Sequence, residues 1–207
     1  MIDLYTDASP NGFKATIAPE ELGLPYTLRH VHVDAGENRT PEYLAIHPHG
    51  RIPALVDGAV GVTVFESAAI LLYLAEKTGR LLPAEGRARW DAVTWLVFHA
   101  ASVGPVLAQR VHFEIFEKDK LWAPLLRFRR LSEEAFVTLD HRLADRPYLA
   151  GDDYTIADIA TFGWTHIAQI CGFSFDQHEH LARWHARVAE RPAVQRGITL
   201  PAPATGP

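Results

Sequence analysis

Glu66-Ser67 stands directly before a run with helical spacing, Ala69-Ile70-Leu71-Leu72-Tyr73-Leu74. The N–H groups that open a helix lack partners within it and carry its positive dipole end, so this position suits a carboxylate. Ser67 adds a hydroxyl donor, and Glu66 can pair with an ammonium. The pair is equally a helix cap, because both residue types favour that place. Ser9 and Asn11 lie where the alternation Ile2-Asp3-Leu4-Tyr5 gives way to a second helical run, Phe13 to Leu22. A hydroxyl and an amide there can cap that helix or hydrogen-bond a bound group. Arg51 precedes Ile52-Pro53. Its guanidinium fork suits a carboxylate, and a solvated surface arginine is the alternative.

The elements that must hold these residues follow from pattern and punctuation. Ile2 to Tyr5 reads as a strand, Ala8 to Gly12 as a turn, Phe13 to Leu22 as a helix stopped by Gly23, and Leu28 to Val33 as a second strand. Ala54 to Asp57 and Val62 to Phe65 pair as a hairpin across Gly58 to Gly61, and a helix runs from Glu66 to Thr78, closed by Gly79. This β-α-β, hairpin, helix order is compatible with a thioredoxin-like sheet of mixed strand directions. Residues 80–86 (RLLPAEG) read as a linker.

Beyond residue 87 the strand signals stop. Helical patterns cover Arg87 to Phe116, with a kink expected at Gly104-Pro105, then Trp122 to Leu143. Thr155-Ile156-Ala157-Asp158 reads as a capping box that opens a helix towards Gly172, and a last helix spans His180 to Glu190. The expected organisation is therefore a thioredoxin-like α/β domain with a mixed four-stranded sheet (1–79), the linker, an all-helical bundle domain (87–196), and a flexible tail (197–207).

Composition narrows the function classes. The chain has 207 residues, 48% hydrophobic and 22% charged, with a formal net charge of -5. Lys and Arg are dispersed, so no basic patch points to nucleic acid or to an anionic membrane. No run approaches the ~18 apolar residues of a membrane helix. The single cysteine, Cys171, permits no internal disulfide and reads as a small buried hydrophobe in a reducing compartment. Eleven histidines include His30-x-His32, His47-x-His49 and His178-x-His180, but no carboxylate or cysteine completes a ligand set, so no metal is expected.

Arg51-Ile52-Pro53-Ala54-Leu55, Phe65-Glu66-Ser67 and Ala69 to Leu74 resemble the N-terminal domain of glutathione transferases, and Tyr154 to Asp158 resembles their helical-domain cap. The likeness runs from about Ile2 to Pro192. Ser9-Pro10-Asn11-Gly12 is similar to the Thr-Pro-Asn-Gly of bacterial Nu-class members, which are disulfide-bond reductase-like. Gly104-Pro105 with Leu107, Gln109, His112 and Phe113 resembles a second stretch of that class.

The resemblance implies glutathione as cosubstrate. It implies that Ser9 and Asn11 hold the glutathione sulfur as catalytic residues, where donors and a helix N-terminus lower its pKa. It implies that Pro53 is cis, so that the Ile52 backbone pairs with the peptide as in strand addition. Asn38, Arg51, Glu66, Ser67 and Arg127 complete the implied glutathione contacts. A structural role remains the alternative for each: an N-cap for Ser9 or Asn11, a trans proline opening a strand, a solvated cluster for Arg127, Arg129 and Arg130. Tyr5 reads as packing. The second-substrate pocket is expected among His99, Gln109, His112 and Phe113. Three departures from the family pattern are Pro19 inside the first helix, serine for threonine at position 9, and the absence of any Cys-x-x-Cys.

The expected protein is a cytoplasmic, homodimeric, glutathione-dependent disulfide reductase that needs neither nucleic acid nor membrane. Conjugation of small electrophiles is one alternative, and a non-catalytic binding or regulatory relative of the same fold is another.

Overall fold

The computed structural model describes residues 1–202 and divides the chain into two compact units. The first comprises Met1–Arg80 together with the C-terminal residues from Glu190; the second is Leu81–Ala189.

In the first unit, β1 (Ile2–Thr6) pairs in parallel with β2 (Tyr26–His30) and antiparallel with β3 (Ala54–Asp57). β3 pairs antiparallel with β4 (Val62–Phe65), giving the order β2-β1-β3-β4. This is the expected mixed four-stranded sheet. Ile2, Leu4 and Leu55 are buried on one face of the sheet and Ala54 on the other, with Val31 and Tyr43, while α1 (Pro10–Leu22) and α3 (Ser67–Thr78) pack against each other. Gly23 ends α1 and Gly79 ends α3, both left-handed at φ 65°, where a side chain would be strained. α1 runs through Pro19 to Leu22, because Pro19 falls in its last turns, where its carbonyl still accepts from Leu24.

β2 ends earlier than the expected Val33. Val31 still donates to the Thr6 carbonyl of β1 (2.9 Å), and beyond it Asp7 accepts a hydrogen bond from the Val33 amide (3.1 Å) and faces His30 Nε2 (2.9 Å). Burial pushes the Asp7 carboxyl up, but His30 and the Val33 and Ala8 amides outweigh it and hold it below the usual carboxylate range. A short helix unread in the sequence, α2 (Pro41–Ile46), has Thr40 as its cap and Pro41 at its first position.

The second unit contains α4 (Gly86–Phe98), α5 (Gly104–Val111), α6 (Trp122–Arg142), α7 (Ile156–Ile170) and α8 (Glu179–Ala189). At Gly104-Pro105, where a kink is expected, the chain stays helical, with a π turn, His99–Val103, just before the proline and another, His112–Phe116, at the end of the run. A proline inside a helix crowds the carbonyl four residues back and donates no N–H, and a wider turn accommodates both. By length and composition the run Gly86–Phe116 is long and apolar enough to cross a membrane, with an 18-residue stretch of mean hydropathy 1.3. Thr94, His99, Ser102 and Gln109 interrupt its apolar residues, so no unbroken apolar stretch of that length stands in the sequence. Ala92, Leu96, His99, Val103, Leu107 and Val111 are its buried side chains.

The capping box is present. Asp158 Oδ2 accepts from the Thr155 amide (2.9 Å), and Asp158 Oδ1 accepts from the Leu149 amide (2.9 Å) and Trp184 Nε1 (2.8 Å).

The C-terminal boundaries differ from expectation. α9 (Pro192–Gly197) packs on α1 in the first unit, with Thr16 Oγ1 donating to the Gly197 carbonyl at 2.7 Å. Arg191 pairs with Glu21 at 2.6 Å. A Cβ on Gly197 would lie 2.7 Å from Ile17 Cα, so the contact requires glycine. Residues 190–196 thus leave the helical domain, and the expected tail is packed at Gly197 and Pro201. The rest of that expected tail, 203–207, lies outside the described residues.

Candidate functional site

Two helix N-termini in the first unit carry the residues singled out by chemistry. At α1, Ser9 is extended (φ −161°, ψ 162°) and its Oγ accepts from the Gly12 amide at 2.9 Å. Ser9 is therefore a true N-cap. A hydroxyl used as acceptor keeps its own O–H to donate, so capping and ligand binding use different atoms. Pro10 fixes the first helical φ. A Cβ on Gly12 would sit 2.1 Å from the Asp7 carbonyl and 2.6 Å from Thr6 Oγ1, so only glycine fits this turn.

At α3, Glu66 has φ 70° and ψ 121°, a positive φ that costs a side-chain-bearing residue roughly 1–3 kcal/mol. It makes no side-chain cap hydrogen bond, so the simple capping role fails for Glu66 where it held for Ser9. Such strain persists only where the surroundings enforce it, and it gathers at ligand sites. Glu66 is exposed and Ser67 half-buried.

Lys14 joins the two ends. Its Nζ donates to Asn11 Oδ1 at 2.9 Å and reaches Ser67 Oγ at 3.5 Å. The side chain is 3% exposed. Burial lowers its pKa to about 7, and the nearby Glu66 carboxylate opposes that shift. Asn11 at one helix start and Glu66-Ser67 at the other, distant in sequence, thus face one buried ammonium.

The loop before β3 is pinned from two sides. Asn38, buried, donates through Nδ2 to the Gly50 carbonyl (2.7 Å), and the Tyr43 hydroxyl donates to the Arg51 carbonyl (2.6 Å). The Ile52-Pro53 bond is cis. Tyr5 and Ile52 pack against buried Val31, Tyr43 and Ala54, which agrees with Tyr5 as a packing residue. The Arg51 side chain is exposed.

Comparison with known proteins places this arrangement. Residues 2–76 match the family model "Glutathione S-transferase, N-terminal domain" and residues 125–192 match "Glutathione S-transferase, C-terminal domain". The disulfide-bond oxidoreductase YfcG of Escherichia coli is 36% identical over 203 residues, covering 96% of this chain and 94% of that protein. This chain belongs to the glutathione S-transferase family. Among solved structures, a glutathione transferase of Burkholderia graminis with two glutathione molecules bound per subunit has a TM-score of 0.91 at 36% identity, over 97% of this chain and 88% of that one. Another, from Pseudomonas putida with one glutathione disulfide bound per subunit, has a TM-score of 0.90 at 35% identity, over 97% and 91%.

In the helical unit of this transferase the residues read as a second-substrate pocket lie along one helical run. His99, 1% exposed, lies in the π turn beneath Gly104, whose Cβ would come 3.3 Å from His99 Nε2. It is a core side chain of its unit rather than part of an open surface. His112 is exposed and meets Phe113 edge to face at 5.0 Å, while Phe113 stacks on Phe128 at 5.7 Å; Gln109 is exposed. Arg127 is exposed on α6, in an open depression with Ala123, Pro124, Leu126 and Arg130. Its neighbours Arg129 and Arg130 are engaged by Glu114 and Glu134.

Cys171 caps the C-terminus of α7 and is half-buried rather than fully buried. Burial first, then Glu114, pushes its thiol pKa up, which keeps it protonated. Among the described residues no group of three or more His, Cys, Asp or Glu is placed to hold a metal.

The residue that sequence reasoning missed between these two helix starts is Lys14. The signal was available: it is the one charged side chain of α1 before Glu20, in a segment buried from Gly12 to Pro19. Lysines are rarely buried without a partner, so its position already asked for one.

Proposed function

We propose that this transferase binds glutathione across the N-termini of α1 and α3 and uses its thiolate to reduce a disulfide. One observation carries the reading: Lys14 Nζ lies 2.9 Å from Asn11 Oδ1 and 3.5 Å from Ser67 Oγ, so both polar ends of the proposed site converge. The γ-glutamyl carboxylate takes the uncapped α3 N-terminus and the Ser67 hydroxyl; its ammonium pairs with Glu66. The sulfur takes the Ser9 O–H and the Asn11 amide, and the Ile52 backbone beside Pro53 pairs with the cysteinyl peptide. Asn38, Arg51 and Arg127 are further candidates for the remaining polar groups.

The chemistry needs no protein thiol. A glutathione thiolate attacks one sulfur of the disulfide, the S–S bond breaks, and the departing thiolate takes a proton. A second glutathione thiolate attacks the glutathione sulfur of the mixed disulfide. Glutathione disulfide forms and the second thiol leaves, so two glutathiones are oxidised for one disulfide reduced. Similar proteins that hold two glutathione molecules or one glutathione disulfide per subunit support a site with room for both sulfurs. The similar E. coli protein named for disulfide-bond oxidoreduction supports the direction of the reaction. A reducing cytoplasm and a homodimer complete the proposal.

The test sets turnover of a small disulfide, with glutathione and a coupled reductase, against conjugation of an aryl halide. Disulfide reduction is expected to be faster. Conjugation faster by tenfold, ~1.4 kcal/mol in barrier, leaves general conjugation as the activity.

A further inference from the structure

We propose that Lys14 is a positioning residue that turns the donor edges of Asn11 and Ser67 towards the glutathione sulfur and carboxylate. This rests on the glutathione reading above and deepens it.

Lys14 in its protonated form has three N–H donors and no acceptor. Its 2.9 Å contact with Asn11 therefore requires Oδ1 to face Lys14, which turns the Nδ2 edge the other way. An asparagine side chain alone has no such preference, since its two ends differ little in shape. The same logic acts at Ser67, where the hydroxyl oxygen accepts from Lys14 at 3.5 Å and its proton is left to point elsewhere.

Both groups are thereby set as donors, and donors stabilise a thiolate and a carboxylate rather than a thiol and a carboxylic acid. Lys14 arises one helical turn after Asn11 on the buried side of α1, so the helix itself fixes the distance between them. Glu66 is the carboxylate whose charge supports the ammonium in this enclosed place.

The alternative is a purely structural lysine that ties α1 to α3. Lys14→Met separates the two, because it keeps the length and apolar stem while removing the donors. The experiment is a double-mutant cycle with Asn11→Ala. It reads glutathione affinity by calorimetry, thiolate content of bound glutathione by ultraviolet absorbance, and kcat/KM. Lys14→Met is expected to lower thiolate content and kcat/KM about tenfold in the native background, and less than twofold when Asn11 is already alanine.

Additive effects, or a lowered melting temperature with unchanged thiolate content, overturn the positioning role. Absence of glutathione binding by the unaltered protein overturns the functional reading instead. A further measurement needs no variant. The side-chain amide resonances of Asn11 in the unaltered protein should shift when reduced glutathione binds, and unmoved resonances overturn the inference.

Discussion

Ser9 Oγ accepts the Gly12 amide at 2.9 Å, so the side chain proposed to meet the sulfur also starts the helix that carries it. Removing a serine cap costs about 1 kcal/mol. Ser9→Ala is therefore expected to lower stability by about that amount in urea unfolding and to reduce disulfide turnover. Ser9→Thr keeps the hydroxyl and should retain both. An alanine variant with full turnover removes Ser9 from the chemistry and leaves it as a cap.

Glu66 and Ser67 are expected to carry ligand affinity rather than stability. Glu66 holds a positive φ without capping α3, so its replacement removes no side-chain cap. The double variant Glu66→Ala, Ser67→Ala should fold normally and lose glutathione binding by calorimetry. Undiminished affinity in a folded double variant ends the assignment of this site.

Asp158 predicts a large structural effect in the helical unit. Its buried carboxylate accepts from the Leu149 and Thr155 amides and from Trp184 Nε1. Burial pushes its pKa up, against the pull of these hydrogen bonds. Asp158→Ala leaves several buried donors unpaired at once, at a cost of roughly 3 kcal/mol or more. A drop in melting temperature of roughly 10 °C is expected by calorimetry. A shift of one or two degrees contradicts this account of the cap.

The helical unit should weaken in mild acid because of His185. Its ring lies 5.0 Å from Phe162, 5.6 Å from Phe175 and 6.1 Å from His166. Burial, then His166, depresses its pKa from 6.5 to about 4. Between those values the unfolded chain takes up a proton that the folded protein refuses, so folding stability falls as pH falls. The contribution is complete above about 6.5 and is lost progressively down to about 4, by roughly 3 kcal/mol. His185→Phe should flatten urea-denaturation stability across this window. An unchanged pH dependence in that variant points to other groups.

The sequence alone determined the local elements and the residue types of the site. Turn residues and alternation located the hairpin over residues 54–65, because strand pairing across a short loop is written within a few residues. Thr155 and Asp158 announced their helix because a capping box is a contact between near neighbours. Glu66-Ser67, Ser9 and Asn11 were legible as donors at helix starts for the same reason. Tertiary structure alone decided what those donors share.

Lys14 meets Ser67 across 53 residues of chain, and α9 meets α1 across 181 between Thr16 and Gly197. No local pattern encodes such meetings. They arise when the sheet sets α1 and α3 side by side and leaves a surface on α1 that the returning C-terminal segment covers. At the end of β2, Asp7 likewise holds His30 and Val33 through bonds spanning more than twenty residues. A lysine in an apolar stretch is read from sequence only as an oddity. Burial, which depends on every neighbouring element at once, made it a tie between the two ends of the site.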